Sequence, residues 1–139
     1  MAVIDGKNLI LGRMGTEIAK RALLGEKIDI VNCEEVIITG DKKEIIQRYK
    51  EKVARGNPQK GPFFQKRPDK FVRRAIRGMI PYKQEKGKKA FKNIMCYLGV
   101  PEELAEKKPE SLDNAKITKG KILKYITVGN LCKNLKWVK

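Results

Sequence analysis

The 139-residue chain has no histidine, only three cysteines and no long apolar run. Without histidine, the commonest general base, the histidine-dependent nucleophile triads and imidazole-containing zinc sites are excluded. A membrane-spanning helix needs about 20 apolar residues, and the apolar runs here are only a few residues long. We therefore predict no membrane partner, no metal site, no cofactor and no small-molecule substrate.

The cysteines Cys33, Cys96 and Cys132 are far apart and form no C-x-x-C pair. An odd, scattered set is typical of a reducing compartment, where free cysteines act as small buried hydrophobes. A redox or metal role is the alternative. No basic segment followed by an apolar stretch opens the sequence, so no secretory signal is expected. We predict a cytoplasmic protein.

Acidic residues are half as numerous as basic ones. The chain has 32 Lys and Arg against 16 Asp and Glu, a net charge of +16. Residues 59–92 contain 12 basic and 2 acidic residues and so carry +10 of this excess. A charge concentrated in this way indicates a polyanionic partner such as nucleic acid.

Local patterns predict alternating strands and helices. Apolar, β-branched segments predict strands at 3–4, 28–31 and 36–39, and helical periodicity predicts helices over 12–25 and after an N-cap at Asp41. Downstream we expect a strand within 93–99 buried on both faces, a short helix after Pro101, an extended segment at 122–126 and a final helix capped by Thr127, with Trp137 docking the terminus.

These elements predict the α/β class. We expect a single domain over residues 1–139, with a core at 1–100 and a C-terminal extension at 101–139. The core should be a mostly parallel open sheet of about four strands with helices on both faces, accompanied by a basic loop–helix segment.

The segment 56–68 contains three prolines and two glycines, so it cannot be regular. It is either a linker or a loop ordered by a partner. Phe63 and Phe64 lie between the cations Lys60, Lys66 and Arg67. RNA bases stack on aromatic rings while cations meet phosphates; the alternative is that one of the two rings plugs the loop into the core.

A helix predicted over 69–80 places Lys70, Arg73, Arg74 and Arg77 on one face, with Asp69 as the only nearby acid. Solvated faces usually mix signs, so we favour anion binding over an ordinary solvated face. Further cations follow at Lys83, Lys86, Lys88, Lys89 and Lys92, and lysine is suited to neutralising phosphates.

The segment Gly12–Gly15 follows a strand and begins a helix, which is the position of a phosphate site in nucleotide-binding proteins. It lacks the G-x-G-x-x-G and P-loop patterns. Arg13 and the free helix amides remain a candidate phosphate contact, for either a nucleotide or an RNA backbone.

Several motifs resemble one family. They are Leu9–Met14 after Val3–Gly6, Val36–Gly40, Arg55-Gly56, Gly61-Pro62-Phe63, Arg67-Pro68, Arg77-Gly78-Met79-Ile80-Pro81, Ala90-Phe91-Lys92 and Tyr97-Leu98-Gly99. In this order, over about residues 2–101, the chain is similar to the universal large-subunit ribosomal protein thirteen family. The tail, with Thr127-Val128-Gly129 and Leu135-Lys136-Trp137, resembles the archaeal and eukaryotic branch.

The resemblance implies a non-enzymatic constituent of the large ribosomal subunit that binds large-subunit ribosomal RNA (rRNA), contacts neighbouring ribosomal proteins and supports assembly in the cytoplasm. Carried onto this sequence, it assigns RNA contacts to Arg55, Lys60, Lys66, Arg67, Arg73, Arg74, Arg77, Lys83, Lys86, Lys88 and Lys89. Two other interpretations stay open: an enzyme acting on nucleotides or tRNA through Gly12–Gly15, and a DNA-binding module, for which no helix-turn-helix or zinc pattern is present.

Overall fold

The structure is a computed structural model that describes residues 2–117 and 123–137. Its strands are β1 (Ala2–Asp5), β2 (Ile28–Val31), β3 (Ile37–Thr39), β4 (Ile94–Cys96) and β5 (Tyr125–Thr127). Its helices are α1 (Leu11–Leu23), α2 (Lys42–Ala54), α3 (Pro68–Arg77), α4 (Glu85–Lys92), α5 (Glu102–Ala105) and α6 (Val128–Asn134). The predicted α/β class is confirmed. The extended segment predicted at 122–126 is present from Tyr125, and its residue 122 lies outside the described residues.

The parallel sheet has the strand order β1-β2-β4, with Ile4 opposite Ile30 and Ile30 opposite Cys96. Alternation along each strand turns these side chains to one face, where they form the main core. Helices α1, α3 and α4 pack together on this face and supply Met14, Phe71 and other apolar side chains to the same core.

The opposite face of the sheet is only thinly covered. Helix α5, four residues long, packs Leu104 against Val3 and Val31. Met95 of β4 is 42% exposed on this face, so the prediction of a strand buried on both faces is wrong. The reason is that α5 packs over residues of β1 and β2 and leaves the edge strand β4 open on this face.

The predicted strand at 36–39 lies outside the parallel sheet. As β3, it pairs antiparallel with β5, placing Ile38 opposite Ile126. Its backbone is held from both sides, because Ile37 N–H donates to the Leu9 carbonyl at 2.8 Å and Val128 N–H donates to the Val36 carbonyl at 2.8 Å. Within the described residues the parallel sheet therefore contains three strands, and the predicted strand at 36–39 instead connects the start of the chain to its C-terminal part.

The predicted helix caps are present. The Asp41 side chain accepts from the Lys43 N–H at 2.9 Å, and Thr127 Oγ1 accepts from the Asn130 N–H at 3.3 Å. Helix α6 buries Leu131 against the main core, and Trp137 packs beside it as predicted.

The basic middle of the chain contains two helices. Helix α3 ends at Arg77, three residues before the predicted end, and the chain turns through 78–84 into α4. Helix α4 is not predicted by the sequence pattern. Gly87 lets α4 sit directly on this turn, because a Cβ at Gly87 would collide with the Pro81 carbonyl.

All three cysteines are buried and free, as predicted. Burial raises the pKa of the Cys132 thiol to about 12. In the part of the chain that the structure describes, no cluster of metal-ligating side chains occurs, and no helix is long and apolar enough to cross a membrane.

Candidate nucleic-acid interface

A groove of about 790 Å³ runs between the end of α2, the loop after it and α3. Seven of the predicted RNA-binding residues line it: Arg55, Phe63, Phe64, Lys70, Arg73, Arg74 and Arg77. Its other lining residues are Tyr49, Lys52, Pro62, Gln65, Phe71, Ala75 and Phe91. Among the residues that the structure describes, no carboxylate lines the groove. We call this feature the basic groove.

The loop beside the groove is closed on itself by a short hairpin. Asn57 N–H donates to the Gly61 carbonyl at 3.1 Å, and Gly61 N–H donates to the Asn57 carbonyl at 2.8 Å. Gly56 and Gly61 make this tight closure possible, with φ angles of +91° and +85° that other residues rarely adopt. Two backbone hydrogen bonds therefore close residues 57–61 into a hairpin.

An aromatic cluster anchors the following residues to the helices. The Phe64 ring lies 5.8 Å from the Tyr49 ring of α2 and 5.9 Å from the Phe71 ring of α3. The alternative in which one ring plugs the loop into the core is thus confirmed for Phe64. Its neighbour Phe63 is 70% exposed. Burial in this cluster raises the pKa of the Tyr49 hydroxyl.

Arg73 is committed to contacts within the protein. Its Nε donates to the Ile94 carbonyl at 3.0 Å, and one terminal nitrogen donates to the Phe91 carbonyl at 3.2 Å. The guanidinium carbon also lies 4.0 Å from the centre of the Phe91 ring. Arg73 therefore ties α3 to the end of α4 and to the edge strand β4, although the sequence grouped it with the other cations of its helix.

Two more groove cations rest on aromatic rings. The Arg77 guanidinium carbon lies 4.0 Å from the centre of the Tyr82 ring, and Lys52 Nζ lies 4.8 Å from that of Tyr49. Neither contact removes the charge, so both residues still contribute positive potential. Lys52 was not predicted from the sequence. It lies in the last turn of α2, three residues before Arg55, which follows the helix.

Arg55, Lys70 and Arg74 are the uncommitted cations of the groove. All three are exposed, and within the described ranges their side chains make no hydrogen bond or ion pair. Cations gathered without a neutralising acid repel one another and favour an anion between them. The geometry can therefore bind phosphate groups without first breaking internal contacts.

The remaining predicted residues lie outside the groove. Arg67 pairs with Asp69 at 3.0 Å, and Lys89 pairs with Glu85 at 3.5 Å. Arg13 is exposed on the first turn of α1, well separated in sequence from the cluster at 59–92. The others are Lys60, Lys66, Lys83, Lys86, Lys88 and Lys92, and of these all except the half-buried Lys66 are exposed.

Comparison with known proteins identifies the family. Residues 1–103 match the model of the family described as ribosomal protein L13. The chain belongs to the ribosomal protein L13 family. Its members are ribosomal proteins and not enzymes, so the enzymatic interpretation of Gly12–Gly15 is wrong.

Individual L13 proteins match over nearly the whole chain. The large ribosomal subunit protein uL13 of Methanocaldococcus jannaschii is 45% identical, and the alignment covers 97% of each chain. The uL13 proteins of Archaeoglobus fulgidus and Methanopyrus kandleri are 42% and 43% identical, over 96% of this chain and 86% and 85% of theirs. These alignments extend beyond the matched family region and so include much of the C-terminal part.

Proposed function

We propose that this protein is a structural constituent of the large ribosomal subunit that binds large-subunit rRNA through the basic groove and the cations beside it. The relatives named above carry the name of a large-subunit protein, which supports the assembly. The observation that carries the RNA-binding role is the set of Arg55, Lys70 and Arg74. These are exposed cations whose side chains have no partner among the described residues, around a groove that no described carboxylate lines.

The mechanism is neutralisation of phosphates by a preformed surface. The hairpin and the aromatic cluster hold the groove in shape, so little conformational entropy is lost when RNA binds. Arginine supplies a planar fork for phosphate oxygens, and lysine supplies a mobile point charge. The lysines of α4 extend the positive surface along the chain. Contacts of this kind position the protein on folded RNA and bring the helices of the RNA together during assembly.

The test combines variants of the groove with a charge-matched control. Arg55→Gln, Lys70→Gln and Arg74→Gln are combined in one protein; the control carries Lys20→Gln, Lys42→Gln and Lys133→Gln, exposed positions that do not line the groove. Binding to in vitro transcribed large-subunit rRNA is measured between about 50 and 300 mM salt. The logarithm of the binding constant is plotted against the logarithm of the salt concentration, and each lost phosphate contact should make the slope of this plot shallower by about 0.7–0.9.

We expect the groove variant to lose about two to three units of slope and the control to lose less than one. Equal slopes for the two variants would remove the groove from the mechanism. In parallel, the tagged chain should sediment with the large subunit in a sucrose gradient of cell lysate, in the cytoplasmic fraction and beside neighbouring ribosomal proteins. Sedimentation only with small particles would contradict the assignment to the subunit.

A further inference from the structure

The exposure of Phe63 has no structural explanation in the fold. The chain has four phenylalanines. Phe71 is buried, Phe64 packs in the aromatic cluster and Phe91 is covered by the Arg73 guanidinium. Phe63 alone among them leaves 70% of its surface in water, on a loop that is otherwise tightly closed. Because Phe63 lies in a groove lined by cations, its exposed ring is available to stack on a flat, anionic ligand.

The ring of Phe63 has support from its own loop. A Cβ built on Gly61 would lie 3.1 Å from Cδ2 and Cε2 of the Phe63 ring. The ring therefore lies beside the backbone of Gly61, whose N–H and carbonyl both pair with Asn57. Because a side chain held in this way has little freedom to lose, a flat ligand can stack on it at low entropic cost.

The groove matches a single nucleotide in size. Its volume of about 790 Å³ lies in the range of pockets that hold one small molecule, about 300–1,000 Å³. An A-form helix keeps its bases stacked and paired inside, so it offers Phe63 no base face. A nucleotide whose base has left the helical stack can enter, and such unstacked bases are what proteins read in folded RNA.

The charges around the ring match that occupant. Phe63 and Pro62 form an apolar patch in the groove, and the uncommitted cations Arg55, Lys70 and Arg74 line the same groove. A nucleotide is a flat, apolar ring joined to an anionic phosphate, so a ring flanked by free cations is complementary to both of its parts. An acidic peptide without an apolar side chain would pair with the cations and leave Phe63 uncovered.

We infer that the basic groove binds one unstacked nucleotide of the RNA, whose base stacks on Phe63 and whose flanking phosphates lie against Arg55, Lys70 and Arg74. This inference rests on the proposed function. Stacking is tolerant of base identity, so the groove selects a bulged or looped-out nucleotide in the right place rather than a particular base.

The experiment compares Phe63→Ala, Phe63→Leu and Phe63→Trp with the unchanged protein. Two probes are used: in vitro transcribed large-subunit rRNA and a fully paired 20-base-pair RNA duplex. On rRNA we expect Phe63→Ala and Phe63→Leu to weaken binding by about 5- to 150-fold, the equivalent of losing one base–aromatic stack, with the salt slope unchanged. Phe63→Trp should bind like the unchanged protein. On the duplex all four proteins should bind equally.

Chemical probing locates the nucleotide. Acylation of the rRNA 2′-hydroxyls should show one unpaired nucleotide whose reactivity changes with the unchanged protein and with Phe63→Trp but not with Phe63→Ala. The unfolding midpoints of all variants should agree, because the ring is largely exposed.

The outcomes separate the two proposals. If the unchanged protein does not bind rRNA, the proposed function fails. If it binds and Phe63→Ala or Phe63→Leu binds equally well, the nucleotide site is wrong and phosphate binding by the groove stands. An equal loss on the paired duplex would also overturn the inference, because the ring would then act without an unstacked base.

Discussion

Replacing Arg73 by glutamine should lower the stability of the protein and leave RNA binding nearly intact. The neighbouring substitution Arg74→Gln should weaken RNA binding and leave the stability nearly unchanged. The two residues are adjacent in sequence and lie on the same helix. Arg73 bonds to the carbonyls of Ile94 and Phe91, but Arg74 has no partner among the described residues. Sequence reasoning assigned both to RNA, so this pair tests what the structure adds.

The expected loss for Arg73→Gln follows from its contacts. A hydrogen bond from a charged donor contributes about 1.5–3 kcal/mol, and a cation–π contact adds about 0.5–2 kcal/mol. The Phe91 carbonyl is near the end of α4, where water can replace the lost donor. If one hydrogen bond of Arg73 is lost in full and its other contacts in part, Arg73→Gln should lower the free energy of unfolding by about 2–4 kcal/mol. For exposed Arg74 we expect a change within about 0.5 kcal/mol.

Urea unfolding followed by circular dichroism measures the stability of both variants, and the salt-dependent rRNA assay measures their binding. Arg73→Lys is the third protein, because lysine keeps the charge but cannot donate in the same fork; it should lose most of the stability that Arg73→Gln loses. The reasoning is refuted if Arg73→Gln and Arg74→Gln have the same unfolding midpoint, or if Arg73→Gln lowers the salt slope as much as Arg74→Gln does.

Three further predictions concern stability. Gly87→Ala should destabilise the protein by about 1–3 kcal/mol because the new methyl group overlaps a backbone carbonyl. Gly12→Ala, with open space around the new methyl group, should be neutral or stabilising. Equal urea unfolding midpoints for the two variants would contradict this difference. Phe64→Ala should cost about 2–3 kcal/mol through loss of the aromatic cluster, and Phe63→Ala should cost almost nothing; the reverse order would place the wrong ring in the core. Burial raises the pKa of the Cys132 thiol from 9.0 in the unfolded chain to about 12 in the folded protein. The contribution of the neutral thiol to the free energy of unfolding is therefore complete below pH 9 and falls as the pH rises toward 12, by about 1.4 kcal/mol per pH unit. Cys132→Ala should lose stability less steeply over this range, and an equally steep loss would show that the Cys132 thiol does not titrate in this way.

Much of the fold is readable from neighbouring residues. Alternation in 28–31 and helical spacing in α1 and α2 depend on side chains within a few positions of one another, and so do the caps made by Asp41 and Thr127. These patterns predicted the position of almost every strand and helix. The lysine-rich α4 was not predicted, because its packing depends on a close backbone contact between Gly87 and the preceding turn. Such a contact leaves no periodic apolar pattern in the sequence.

The candidate site, like the fold, was predictable from the sequence only in part. The concentration of charge in 59–92 indicated a polyanion-binding region, and it was visible by counting. Lys52 was missed because it belongs to α2, outside that segment, and only the packing of α2 beside α3 brings it to the groove. Conversely, pairing within the described residues, such as Arg67 with Asp69, reduces the number of cations that are free to bind RNA.

The sequence by itself determined the α/β class, the family and the gathering of positive charge in one stretch, because each of these is written in composition or in the spacing of near neighbours. The tertiary structure alone decided that Arg73 faces carbonyls and Arg74 faces solvent, that Phe64 packs and Phe63 stays in water, and that β3 pairs with β5 instead of joining the parallel sheet. These features depend on which segments, distant in sequence, pack against one another. Such packing is a property of the whole folded chain, whereas periodicity is a property of neighbouring residues.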